Sequence, residues 1–221
     1  MALDVAQTHS ADGLWQSLTA LVCSDGTRTH LHANALVTKS PQARDLADAA
    51  HLVCSLHGRH PGVIDHAAQH RGVEAATGWL EHAAAAFAEE RARIVALAVA
   101  AGPLPSTPGQ AESEATVTAQ RHALDMLSSS ARNGCSLGAS LALVLDWPAL
   151  NGVLSAAGKR FGQDMPMPEF PSDTDVETLV SSFAGNPGVE RAVMFGAQQL
   201  LAQHRGLFDL LQARAEARDR I

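Results

Sequence analysis

The chain has 221 residues, of which 46% are hydrophobic and 18% are charged, and its formal net charge is −7. These values exclude an intrinsically disordered chain, and the excess of acidic over basic residues opposes a nucleic-acid-binding surface. The length corresponds to one ordinary domain, so we expect a single helical domain over residues 1–221.

Residue usage favours helices over strands. Tyrosine is absent and aromatic residues make up only 4% of the chain, whereas alanine and leucine, which are good helix formers, are abundant. We therefore predict an all-α fold.

Turn signals divide the first half of the chain into four predicted helices. Ser24-Asp25-Gly26 ends the first helix, and Gly58 ends the second. The polar segment between these two helices is expected to be extended, which would point His30 and His32 to the same side. The predicted helices cover residues 13–22, 41–57, 61–70 and 73–101.

The second half follows a proline-rich connection at residues 102–110. Helices are predicted to begin near Ala111 and Cys135, and Asp146-Trp147-Pro148 is expected to open a separate helix because proline favours the first turn. Residues 162–172 contain three prolines and are predicted to form a loop. Thr174 and Glu177 then match a capping box at the start of the next helix.

Two long predicted helices, residues 73–101 and 189–218, together with the medium ones, predict a multi-helix bundle. Ferritin-like bundles, in which a long crossover links the helices, offer an analogy for the proline-rich connection. Small residues on one side of residues 135–145 would let a neighbouring helix approach closely.

The cysteines, the N-terminus and the apolar stretches indicate in which cellular compartment we expect the protein. Three cysteines without CxxC spacing argue against a disulfide framework or a structural zinc site. The first residues lack the positive flank and apolar run of a signal peptide. Residues 94–101 and 137–145, the longest uncharged apolar stretches, are shorter than the ~20 residues of a membrane span. We expect a cytoplasmic protein without membrane association.

Histidine is unusually clustered, because eight of the eleven histidines fall between His30 and His82. His66 and His70 are four residues apart and would share one helical face. If the helix continued through Gly72, Glu74 would extend the row, and this spacing could bind a divalent transition metal. The alternative is that Arg71-Gly72 ends the helix and both histidines lie in its last turn, where the helix dipole favours their positive charge.

A carboxylate-x-x-His pair, Asp48 and His51, resembles an element of di-iron bundles. Both residues lie opposite the apolar stripe of their predicted helix, so we expect them to face water or a partner. No Glu-x-x-His occurs in the chain, so the di-iron ligand set is incomplete.

His57 and His204 differ from the other histidines because both lie on apolar arcs of predicted helices. A histidine inside a bundle must have its ring nitrogens paired or remain uncharged. These two residues are therefore either satisfied core histidines or part of a ligand pocket. Glu90 is a third candidate for that pocket, since Glu90 or the adjacent Arg91 must approach the interior.

The chain contains no Gly-x-Gly-x-x-Gly, Walker or His-Glu-x-x-His motif. Residues 134–138, Gly-Cys-Ser-Leu-Gly, have the Gly-x-Ser-x-Gly spacing, but they are embedded in a predicted helix and we interpret them as helix packing. We therefore expect a non-enzymatic helical bundle that self-associates, binds a protein partner or binds a small ligand. A homodimer is predicted, because Met126 and His122 give one helix a less polar outer face than a solvated helix needs. The alternative is a histidine-dependent metal-binding protein of ferritin-like architecture, and metal analysis separates the two.

Overall fold

The computed structural model describes residues 2–69, 73–183 and 185–220, with side chains from Gly13 onward. The protein is 79% helical, and the described residues contain no strand, which confirms the all-α multi-helix bundle. Two short 3-10 turns, at Thr27–Thr29 and Glu74–Ala76, accompany the α-helices. The α-helices are α1 (Ala2–Asp25), α2 (Leu31–Thr38), α3 (Ala43–His57), α4 (Val63–Gln69), α5 (Thr77–Ala100), α6 (Gln110–Ser128), α7 (Cys135–Phe161), α8 (Asp173–Ser181) and α9 (Pro187–Asp219).

Helices α7 and α9 pack closely against each other and form the centre of the bundle. A methyl group on Gly138 of α7 would overlap the carbonyl oxygen of Val193, and one on Gly196 of α9 would overlap that of Cys135. Glycine is therefore required at both positions for this approach. The small-residue side of residues 135–145 is thus used within the chain, by its own last helix.

Pro148 lies inside α7, so the prediction that Asp146-Trp147-Pro148 opens a separate helix was wrong. Proline removes one backbone hydrogen bond and costs a helix interior about 3 kcal/mol. Trp147, Leu150 and Leu154 are fully buried around this point, and their packing against neighbouring helices outweighs that cost.

The chain is helical again from Leu31 onward, so the expected extended segment is wrong for His32, while His30 itself keeps an extended backbone. His30 caps α2, because its Nδ1 accepts a hydrogen bond from the backbone N–H of His32 at 3.2 Å. Its Nε2 lies 3.0 Å from a carboxylate oxygen of Asp209 on α9. The two histidines therefore do not form a chelating pair.

Two other helix starts differ from the sequence prediction. Helix α8 is capped two residues earlier than expected, because Ser172 and Asp175, rather than Thr174 and Glu177, form the capping box. Helix α5 begins at Thr77, after the second 3-10 turn.

A buried ion-pair cluster joins α3 to α9, which corrects the expectation that Asp48 faces water or a partner. Asp48 is 1% exposed. It accepts two hydrogen bonds from the guanidinium of Arg214, at 2.9 and 3.0 Å, and one from Arg218 at 2.5 Å. The helical wheel assumed one buried face, whereas α3 packs against α5, α6, α7 and α9. His51 is half-buried, with its Nε2 2.8 Å from the carbonyl oxygen of Gly102.

By length and composition, α7 is apolar enough to cross a membrane, and it is the one such helix among the described residues. In the bundle, 78% of its most apolar 18-residue stretch is buried. The core helix of a water-soluble protein has the same properties, so the cytoplasmic location stays a prediction.

Candidate functional site

Two histidines from distant parts of the chain meet in the core. His57 is the last residue of α3, and His204 lies in the middle of α9. Their Nε2 atoms are 3.0 Å apart, and their exposed fractions are 5% and 0%. Sequence analysis placed each on an apolar arc, and the structure brings them into direct contact.

Asp146 extends this contact into a chain of hydrogen bonds. Its Oδ2 lies 2.7 Å from Nδ1 of His204. Thr27 donates its backbone N–H to Oδ1 at 2.8 Å and its hydroxyl to Oδ2 at 2.6 Å. Burial alone would raise the pKa of Asp146, but the hydrogen bonds from His204 and Thr27, together with the positive charge that His204 carries when it is protonated, lower it. Asp146 is therefore an ionised acceptor.

When His204 is neutral, these partners fix the tautomers of both rings. An ionised Asp146 accepts the proton on Nδ1 of His204, so Nε2 of a neutral His204 has a free lone pair. The hydrogen bond between the rings then requires His57 to donate from Nε2, which leaves the lone pair of His57 on Nδ1. Burial, then the nearby His204 and Arg91, hold the pKa of His57 well below its ordinary value of 6.5. His57 is therefore neutral at physiological pH.

Aromatic rings and a buried carboxylate surround His57. Its ring stands edge-on to those of Phe87 and Trp147, with centroids 6.2 and 5.6 Å away. The indole N–H of Trp147 donates to Oε1 of Glu90 at 3.1 Å. Burial raises the pKa of Glu90, and its hydrogen bonds to Trp147, Asn151 and Arg93 offset only part of that rise. Glu90 therefore reaches the two histidines through Trp147 rather than by direct contact.

A cavity of about 390 Å³ opens beside His57, and we call it the histidine cavity. It lies between the end of α3, the start of α4 and the faces of α5 and α6. Phe87 and Leu124 give it apolar walls. Its ionisable lining residues, apart from His57, are Arg59, His60, His66, Arg121 and Asp125.

A second cavity, of about 620 Å³, lies at the opposite end of the hydrogen-bonded chain, and we call it the aspartate cavity. Asp146 lines it, together with apolar residues that include Trp15 and Phe170. His57 and Asp146 thus each line a different cavity.

The residues of the predicted metal site are not gathered on one helix in the described part of the chain. His66 lies in α4, which ends at Gln69, and Glu74 lies in a 3-10 turn. His70 is outside the described residues. Within the described residues, no group of three His, Cys, Asp or Glu side chains is placed to hold a metal ion. Metal binding at these positions stays a prediction.

Sequence analysis missed Asp146, Thr27 and Trp147 as members of this site. Asp146 was expected to start a helix, because Pro148, two residues later, gives that signal. The helical pattern of α7 indicates Asp146, because its carboxylate interrupts a long apolar helix that must be buried on most sides, but it gives no signal for Thr27.

The described residues therefore form an all-α multi-helix bundle built around a buried, hydrogen-bonded pair of histidines. Residues 22–219 match the model of a family of unknown function, DUF6975, and the chain belongs to this family. No curated protein and no solved structure is significantly similar to the chain.

Proposed function

We propose that the protein binds a small anionic molecule in the histidine cavity, with His57 in contact with the ligand. The observation that carries this proposal is a buried imidazole, hydrogen-bonded to a buried partner, on the wall of a cavity that also has two arginines. Polar groups that converge on a concave site between apolar side chains are a feature of small-molecule sites.

The charges of the lining favour an anion. Arg59 and Arg121 contribute two permanent positive charges, against one carboxylate, from Asp125. Arg121 is half-buried, so solvent screens its charge less than that of a fully exposed arginine. Guanidinium groups also recognise carboxylates and phosphates through paired hydrogen bonds.

Cavity size supports a ligand of metabolite dimensions. Ligand pockets have volumes of about 300 to 1,000 Å³, and the histidine cavity, at about 390 Å³, lies near the lower end. The small-residue side of α7, which would let a neighbouring helix approach closely, is covered by α9 of the same chain. This surface therefore does not support association with a second chain, whereas the histidine cavity supports ligand binding.

Calorimetric titration of the purified chain with inorganic phosphate, and separately with acetate, tests the proposal. We expect saturable binding of one of these anions, and a loss of at least about tenfold in affinity for Arg121→Gln, which removes a charged hydrogen-bond donor. Arg191→Gln is the matched control, since Arg191 is exposed on α9, away from the cavity. Absence of saturable binding of both anions, or equal binding by wild type and Arg121→Gln, would overturn the proposal.

A further inference from the structure

The two hydrogen-bonded histidines differ in position, because His57 lies at the histidine cavity and His204 lies behind it. Ligand binding alone would not need the second ring. His57 lines the histidine cavity, and within the described residues the hydrogen bond to its ring is on Nε2. Nδ1 of His57, with its lone pair, is therefore the ring nitrogen that a molecule in the cavity would contact. Behind His57, the chain continues through His204 to Asp146.

A positive charge is unfavourable on His57 itself. Its closest ring contacts are Phe87, Trp147 and His204, and Arg91 adds a like charge nearby. The charged and titratable groups around His57 belong to several elements: His204 on α9, Asp146 on α7, Glu90 and Arg91 on α5, Asp65 and His66 on α4, Arg121 and Asp125 on α6, and Arg59 and His60 after α3.

A positive charge on His204 has a different environment, because it has a direct counter-ion. Asp65 is already paired with Arg91 at 2.5 Å, and Glu90 bonds to Trp147. Asp146 instead lies 2.7 Å from Nδ1 of His204 and is held ionised by Thr27. Within this group, the ring next to Asp146 is where an added proton is best stabilised.

We propose that His57 and His204 form a two-ring proton relay that takes a proton from a small anionic acid bound in the histidine cavity. The ligand's proton bonds to Nδ1 of His57, and the N–H bond at Nε2 of His57 breaks as that proton passes to Nε2 of His204. His57 ends as the other neutral tautomer, and His204 ends as an imidazolium paired with Asp146. The ligand gains one negative charge, beside Arg59 and Arg121.

Asp146 lines the aspartate cavity, on the other side of the relay from the ligand. The His204–Asp146 pair that would hold the proton is therefore next to a second cavity and away from the ligand. This inference rests on the proposed function for the source of the proton, while the relay is testable in the ligand-free protein.

Long-range ¹H–¹⁵N correlation spectra of the ¹⁵N-labelled full chain report the protonation state of each ring nitrogen. In wild type at neutral pH, we expect protons on Nδ1 of His204 and Nε2 of His57. As the pH falls, His204 should become doubly protonated, and the proton of His57 should move from Nε2 to Nδ1 in the same transition. Separate transitions for the two rings, or an unchanged His57 tautomer, would overturn the relay.

Asp146→Asn removes the counter-ion, and it should lower the midpoint of the His204 transition by at least about one pH unit. Thr27→Val keeps the carboxylate but removes one hydrogen bond to it, which leaves more negative charge facing His204, so it should give a smaller shift in the opposite direction. Asp209→Asn is the matched control, because Asp209 lies on the same helix but pairs with His30. An unshifted midpoint in both Asp146→Asn and Thr27→Val would contradict the proposal, and the wild-type titration remains decisive if Asp146→Asn does not fold.

The two proposals fail in different ways. Phosphate titrations in buffers with different ionisation enthalpies measure both anion binding and the proton release that accompanies it. A coupled tautomer change without anion binding would leave the relay standing and refute the proposed ligand. Anion binding with independent transitions of the two rings would refute the relay alone.

Discussion

Nε2 of His57 and Nε2 of His204 are 3.0 Å apart, although the two residues are separated by 147 positions in the chain. Because only one proton can lie between these two nitrogens, the state of one ring determines the state of the other. Asp146, on the far side of His204, favours a positive charge on His204 rather than on His57.

Protein stability should fall as the pH drops below the ordinary histidine value of 6.5. The unfolded chain can protonate His57, whereas in the folded chain burial and the nearby His204 and Arg91 oppose a positive charge on that ring. Folding lowers the pKa of His57, so the contribution of this residue to the free energy of unfolding is fully present above pH 6.5 and is lost as the pH falls. The free energy of unfolding should change by up to about 1.4 kcal/mol per pH unit, and urea unfolding at several pH values measures this change.

Comparison with His57→Gln isolates this effect, because the variant cannot titrate at position 57. Its stability should depend less steeply on pH than that of wild type. The raised pKa of Glu90 acts in the opposite direction at lower pH and is common to both proteins. His122→Gln, at an exposed position of α6, should retain the wild-type slope. Identical slopes for wild type and His57→Gln would show that His57 is protonated as readily in the folded state as in the unfolded one.

Asp48→Ala should destabilise the protein by about 3–5 kcal/mol, because it leaves the buried guanidiniums of Arg214 and Arg218 without their shared carboxylate. Asp219→Ala removes an exposed partner of Arg44 and should cost less than about 1 kcal/mol. Urea unfolding of both variants measures the difference. Equal small losses would mean that the cluster is solvated rather than buried.

Glu90→Ala should lower the free energy of unfolding by about 1–3 kcal/mol, because the buried indole N–H of Trp147 loses its acceptor. Glu90→Gln keeps an oxygen at that place and should lose less than half as much. Thermal unfolding followed by tryptophan fluorescence measures both changes. A loss for Glu90→Gln as large as that for Glu90→Ala would show that the negative charge, rather than the hydrogen bond, stabilises Trp147.

The predicted homodimer has a specific surface to test. Met126 is 63% exposed on α6, and Phe195 of α9 is 41% exposed; both line the same shallow cavity. We propose that a second copy of the chain covers this face. Light scattering should then give twice 23.2 kDa for wild type and 23.2 kDa for Met126→Lys. A wild-type mass of 23.2 kDa across micromolar concentrations would remove the dimer.

Helical periodicity and proline and glycine signals were sufficient to predict the fold class. They misplaced the α7 boundary because the local effect of Pro148 was given more weight than the burial of Trp147 and Leu150. They also misplaced Asp48, since a single apolar stripe describes a helix packed on one side, and α3 is packed on several.

The candidate site was partly accessible from sequence. His57 and His204 stood out because a histidine on an apolar arc needs a buried partner. Their contact could not be predicted, because it depends on how α3 and α9 pack. Asp146 was missed because its role depends on Thr27, which a turn brings against α7 from a position 119 residues away.

Phosphate titration of the ¹⁵N-labelled chain, followed through the histidine ring nitrogens, tests the central claim most directly. If a small anion binds beside His57, the Nδ1 signal of His57 should shift saturably, and the signals of His204 should follow with the same apparent affinity. The signals of His30, paired with Asp209 elsewhere in the bundle, should stay in place. Unchanged His57 signals at saturating phosphate and at saturating acetate would contradict the account.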